Sequence, residues 1–126
     1  MLLIVEDNAI MRVFIKSLVQ RNHWRAVFAE DGEQALELYQ AHKADLSLVF
    51  MDWNLPGACD GLGCAAEIRK YDANLPIIAL TAHASKEHEL ECMNAGMNGF
   101  ITKPFTTAQF ASAVDLWRGS GRKVSS

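Results

Sequence analysis

The chain of 126 residues is half apolar and 21% charged, with 12 Lys and Arg against 15 Asp and Glu for a formal charge of −3. That length suits one domain with one core, and the mild acidic balance argues against a dedicated nucleic-acid binder, which carries a clustered basic excess. No apolar run approaches the ~18 residues of a membrane span, and Met1–Val5 leads straight into Glu6 and Asp7 without a basic flank or cleavage motif, so no secretory leader is expected.

Leu2 to Val5 reads as a first strand, followed by a helix over Asn8 to Arg21 with Ile10, Phe14 and Leu18 at helical spacing and Asp7 or Asn8 as its cap. Trp24 to Phe28 is a second strand of mixed polarity, suited to a sheet edge. Asp31-Gly32 turns the chain into a helix carrying Ala35, Leu36 and Tyr39. Leu46 to Met51 is the most continuously apolar run, the mark of a central parallel strand covered on both faces. A loop rich in breakers follows, from Asn54 through Pro56, Gly57, Asp60, Gly61 and Gly63. A third helix then carries Ala65, Ala66 and Ile68. Ile77 to Leu80 is a fourth strand and Lys86 to Asn94 a fourth helix, which Gly96 can end. Gly99 to Ile101 makes a short fifth strand, and Thr106 to Trp117 a last helix with Phe110, Val114 and Trp117 on one side. Five β-then-α units predict a parallel sheet wound with helices on both faces, an α/β domain over residues 1–118. The Gly-, Ser- and Arg-containing stretch 119–126 is expected to be a disordered tail. Three cysteines without CxxC spacing, Cys59, Cys64 and Cys92, read as reduced thiols of a cytoplasmic protein.

In open parallel sheets, ligands bind beyond the carboxyl ends of the strands. Glu6 and Asp7 follow the first strand, Asp52 the third, Thr81 the fourth, and Thr102, Lys103 and Pro104 the fifth. Each has an ordinary explanation taken singly: Asp7 as a helix cap, Asp52 as a turn former, Thr81 bonded to its own loop, Lys103 as a solvated charge. Together they gather three carboxylates, a hydroxyl and an ammonium at one sheet edge. Clustered like charges need neutralising, and an all-oxygen acidic set suits Mg²⁺ held through few carboxylates and water. Metal, lysine and hydroxyl around one carboxylate are what phosphoryl transfer requires, because its catalysis is positioning and charge stabilisation.

Four blocks, Val5-Glu6-Asp7-Asn8, Met51-Asp52-Trp53-Asn54-Leu55-Pro56, Leu80-Thr81-Ala82-His83 and Thr102-Lys103-Pro104-Phe105, resemble the response-regulator receiver domain of two-component signalling, in order and spacing, over the chain up to about Trp117. The resemblance implies a flavodoxin-like five-stranded sheet in the order 2-1-3-4-5. It implies Asp52 as phosphoacceptor. Glu6, Asp7, Asp52 and the main-chain carbonyl of Asn54 would hold Mg²⁺, while Thr81 and Lys103 would bind phosphoryl oxygens. The Lys103–Pro104 bond is expected cis, and Phe100 takes the aromatic switch position beside Thr81 without a tyrosine hydroxyl. The implied donor is a phosphohistidine of a histidine kinase or phosphotransfer domain, and the implied output a protein effector, with neither nucleic acid nor membrane as direct partner. A carboxylate nucleophile needs no general base, and the acyl phosphate adds a charge of about −2 that Thr81 and Phe100 would answer by repacking.

The loop from Pro56 to Gly61 is one residue longer than the commonest pattern of that family, and Trp53 is large for its position, either packed over the loop or exposed to a partner. His83, two residues past Thr81, either borders the site or is a solvated loop residue, and Met11 with Ile15 is a candidate docking patch. Gly61-Leu62-Gly63-Cys64-Ala65-Ala66 fits G-x-G-x-x-A but sits past the wrong strand for a dinucleotide site. Two competing readings are an interaction module of the same fold without phosphorylation, which would show a broken acidic set, and an aspartyl-nucleophile phosphatase. The latter class has a second Asp two residues after the nucleophile, where this chain has Asn54, so no turnover enzyme is expected.

Overall fold

The computed structural model describes residues 1–53, 55, 57, 60–82 and 85–118. Asn54, Pro56, Cys59, His83 and the tail 119–126 lie outside the described residues, and with them the expectations placed there. Five strands, β1 (Leu2–Val5), β2 (Ala26–Ala29), β3 (Leu48–Asp52), β4 (Ile77–Thr81) and β5 (Gly99–Thr102), alternate with α1 (Ala9–Arg21), α2 (Gly32–His42), α3 (Gly61–Arg69), α4 (Lys86–Asn94) and α5 (Thr107–Trp117). All neighbouring strands pair in parallel, in the order β2-β1-β3-β4-β5. Among the described residues, no helix is long and apolar enough to cross a membrane.

Strand pleating sends alternate side chains to opposite faces, and both faces are covered. Leu3, Val5, Val49, Met51, Ile77 and Ala79 join Ala35 and Tyr39 of α2, Cys64, Ala65 and Ile68 of α3, and Cys92 of α4 in one core layer. Leu2, Ile4, Leu48, Phe50, Ile78 and Leu80 join Ile15, Leu18 and Val19 of α1 and Phe110 and Val114 of α5 in the other. The rings of Phe50, Phe105 and Phe110 stack at centroid separations of 4.4 and 5.5 Å in this second layer.

Each helix has its own start signal. Asn8, Asp31, Asp60, Ser85 and Thr106 cap α1 to α5, each accepting the main-chain N–H three residues on, and Thr106 with Gln109 forms a full capping box. Gly96, at φ +94°, follows the end of α4 in the left-handed conformation expected of it.

Four expectations are corrected. Strand β2 starts two residues later than Trp24, because Leu2 registers with Ala26 while Trp24 leaves its place to pack its ring beside Phe110. Strand β3 is shifted to Leu48–Asp52, which carries Asp52 to the strand end as its final residue. In α1 the buried stripe is Ile15, Leu18 and Val19, with Met11 and Phe14 half-buried, and Ile10 is 82% exposed. The four-residue spacing of Ile10, Phe14 and Leu18 drifts about 40° per step from a 3.6-residue turn, so Ile10 leaves the core side. Ile15, proposed as part of a docking patch, belongs to the core instead.

Candidate functional site

The register of the sheet assembles the site. Val5 pairs with Met51, Asp52 with Leu80 and Thr81 with Thr102, so Glu6 and Asp7 just past β1, Asp52 and Thr81 as the last residues of β3 and β4, and Lys103 just past β5 come together at one edge. Two main-chain bonds extend this alignment beyond the pairing: Trp53 N–H donates to the Leu80 carbonyl at 2.9 Å, and Lys103 N–H to the Thr81 carbonyl at 2.7 Å. The Lys103–Pro104 peptide is cis, as the resemblance implied.

Glu6, Asp7 and Asp52 each bring one carboxylate oxygen within 4.8 Å of the others. Glu6 is fully buried, its Oε1 lying 2.6 Å from Lys103 Nζ and its Oε2 accepting the Asn8 N–H at 3.1 Å. Lys103 Nζ also stands 3.5 Å from Asp52 Oδ2. Asp7 is exposed, and Asn8, not Asp7, caps α1, so the acid has no capping duty. These residues, with Asn8, Trp53 and Ala82, line a cavity of about 460 Å³. Thr81 closes β4 at the same edge, only 3% exposed, and does not line that cavity. Phe100 lies half-buried on β5, lining a separate groove with Ile101, Thr102, Pro104, Ala108, Gln109 and Ser112 of β5 and α5.

The electrostatics are those of an acidic cluster with too little compensation. The Asp52 carboxyl is pushed up to about 8 by burial first, then by hydrogen bonds to Glu6 and Asp7 and the charge of Glu6, against which the Lys103 ammonium acts only partly. The Lys103 ammonium is shared by Glu6 and Asp52, while Asp7 adds a third, exposed carboxylate, and this all-oxygen set of acidic donors fits a hard divalent cation.

Two features of the site were not found in the sequence. A Cβ on Gly61 would collide with the main-chain carbonyl of Asp52 and stand 2.9 Å from that of Trp53. The glycine of the apparent dinucleotide motif therefore lets the start of α3 press against the chain that carries Asp52. The second is the Trp53 side chain, which is half-buried and meets the His88 ring of α4 at 4.8 Å between centroids. Packing over the following loop and exposure to a partner were both open for Trp53; the described residues place its half-buried ring against α4 and the core layer instead. No pattern in the sequence pairs Trp53 with His88, because the two meet only through the crossover from β4 to α4. Cys64 and Cys92 are buried thiols, Cys64 Sγ donating to the Gly32 carbonyl at 3.8 Å, and burial, followed by the charges of Glu91 and Glu89, pushes the Cys92 thiol up to about 11.

A family model for the response regulator receiver domain matches residues 2–115. The chain is 36% identical over 115 residues to the chemotaxis protein CheY of Bacillus subtilis (strain 168), an alignment covering 90% of this chain and 93% of that protein. It is 32% identical over 116 residues to hybrid signal transduction histidine kinase M of Dictyostelium discoideum, where 88% of this chain matches just 5% of the relative's length. Among solved structures, the receiver domain of sensor histidine kinase PA1611 from Pseudomonas aeruginosa PAO1, with a magnesium ion coordinated in its active-site cleft, superposes with a TM-score of 0.82 at 34% identity, covering 94% of this chain and 97% of that one. The co-crystal structure of the Saccharomyces cerevisiae histidine phosphotransfer protein Ypd1 with the receiver domain of its downstream regulator Ssk1 matches with a TM-score of 0.85 at 26% identity, covering 93% of this chain and 87% of that one.

Proposed function

The chain belongs to the response regulator receiver domain family, and from that membership and the geometry of its acidic edge we propose that Asp52 accepts a phosphoryl group from a phosphohistidine of a sensor kinase or phosphotransfer protein. One observation carries the assignment: the Asp52 carboxylate shares a cavity with Glu6, Asp7 and the Lys103 ammonium, groups placed by the ends of three different strands, β1, β3 and β5. Glu6, Asp7 and Asp52, with the Asn54 carbonyl, are the proposed holders of Mg²⁺. When bound, the ion supplies charge that keeps Asp52 ionised and offsets repulsion of the anionic donor.

In the transfer, an Asp52 carboxylate oxygen forms the new bond to phosphorus as the phosphorus–nitrogen bond of the donor breaks, and the electron pair returns to the imidazole nitrogen. No proton leaves Asp52, so no general base is needed. Lys103 binds a phosphoryl oxygen, and its tie to Glu6 directs the ammonium across the cavity. Thr81 meets a second phosphoryl oxygen. Phe100 packs differently once that hydroxyl moves, which changes the surface of α4, β5 and α5 that an effector reads. The protein so described takes one phosphoryl group and releases it by slow hydrolysis, acting as a relay in the cytoplasm.

For the donor, a groove of about 460 Å³ lined by Asn8, Ile10, Met11, Phe14 and Lys103 offers apolar surface beside the acidic edge, with which it shares Asn8 and Lys103. Met11 keeps its proposed docking role there, with Ile10 taking the place of the buried Ile15. The relative whose Ypd1 complex is known supports a phosphotransfer protein as one such donor. Acetyl phosphate with Mg²⁺, followed by intact mass, tests the assignment. A single phosphoryl adduct is expected, lost in Asp52→Asn and on chelation. An adduct that persists in Asp52→Asn places the chemistry on another residue, and no adduct at all favours an interaction module.

A further inference from the structure

Trp53 and His88 have no task in the chemistry above, yet they form the contact that joins the residue following Asp52 to helix α4. The Trp53 main chain is fixed to β4 through its bond to Leu80. Its ring, packed on the same core layer as Met51, Cys64 and Cys92, meets the His88 imidazole at 4.8 Å and an interplanar angle of 53°. His88 lies in the first turn of α4 and is itself held. Its Nδ1 is 2.6 Å from the Ser85 hydroxyl, and its main-chain N–H donates to the same oxygen at 3.2 Å, so the ring is tied to the helix cap. The flanking Glu87 and Glu89 are exposed to solvent. The end of β3, the indole, the imidazole and the start of α4 thus form one unbroken series of contacts.

We propose that the Trp53–His88 contact couples the state of Asp52 to the first turn of α4, with His88 a positioning residue that acts through Trp53. The inference rests on Asp52 being the phosphoacceptor. Coupling of this kind is reciprocal, so a ligand that prefers the phosphorylated position of the α4 turn raises the equilibrium extent of phosphorylation by the factor by which phosphorylation raises that ligand's affinity.

Amide hydrogen exchange over residues 86–92, measured before and after acetyl phosphate and Mg²⁺ treatment with the adduct quantified by intact mass, tests it. In the native chain exchange of this turn is expected to change at least threefold on phosphorylation. His88→Ala is expected to take up phosphoryl within twofold of the native rate while the change in α4 falls below half. His88→Phe keeps a ring against Trp53 but has no nitrogen for Ser85, and is expected to restore the response. In a Trp53→Ala background the His88 substitutions are expected to make no difference to the α4 response. A full α4 response in His88→Ala, or failure of His88→Phe to restore a lost one, overturns the coupling while leaving the phosphoacceptor assignment standing. Absence of any adduct on the native chain is read directly from the mass and overturns both.

Discussion

Asp52 is a carboxyl group that the fold both needs ionised and makes costly to ionise. Its folded value of about 8 lies above the ordinary value of 3.8, so protons bind the folded metal-free protein more tightly than the unfolded chain. The stability this contributes is fully present below pH 3.8 and is lost as pH rises towards 8. Thermal melts in chelator should therefore show the native chain losing ground to Asp52→Asn across that window, ending roughly 1–3 kcal/mol less stable at pH 8. Equal slopes for the two proteins would show that Asp52 titrates normally. Lys103 presents the converse case. Glu6 is fully buried, with the Lys103 ammonium 2.6 Å away as its partner. Removing one member of a buried pair strands the other, so Lys103→Ala is expected to cost about 3 kcal/mol by denaturant unfolding without metal, and Mg²⁺ to recover part of it.

At the scale of the elements, the site depends on how closely α3 and β3 approach. The apparent G-x-G-x-x-A motif is explained by packing: Gly61 touches the Asp52 and Trp53 main chain, and Gly63 supplies the N–H that the Asp60 cap accepts at 2.8 Å. Gly61→Ala must push the helix start away from the strand end. It is expected to destabilise the fold by about 1–3 kcal/mol and to weaken Mg²⁺ binding several-fold by titration, whereas an unchanged affinity would separate the helix start from the site. Helix α1 teaches a second lesson. Its buried stripe follows the 3.6-residue period through Met11, Phe14, Ile15, Leu18 and Val19, and this frees Ile10 for the groove beside Lys103.

For the whole molecule, two apolar layers on opposite faces of one sheet hold five strand ends in register. Phe110 is completely buried, stacked on Phe50 and Phe105 and close to Trp24. Phe110→Ala is expected to cost about 3–5 kcal/mol in urea melts, the range for a truncated core aromatic. The acidic edge links ion binding to global stability in the opposite sense. Mg²⁺ at a hundredfold above its Kd is expected to raise stability by about 2.7 kcal/mol and to change Trp53 fluorescence, because Trp53 is among the residues lining the cavity. An ion that changes neither quantity does not bind this edge.

The sequence by itself determined the order of strands and helices, because short apolar runs, helical spacing and turn or capping residues are local signals. It also determined which residues stand after each strand, and so the membership of Glu6, Asp7, Asp52, Thr81 and Lys103 in one edge once the sheet is parallel. Only the tertiary structure decided what depends on neighbours remote in sequence. The pairing of Leu2 with Ala26 set where β2 begins, and sheet contact chose Ile15 over Ile10 for burial. The close approach of α3 gave Gly61 its purpose, and the crossover into α4 brought His88 to Trp53. Local chemistry names the groups, but distances between them are fixed only when burial on both faces of the sheet selects one register and one set of helix contacts.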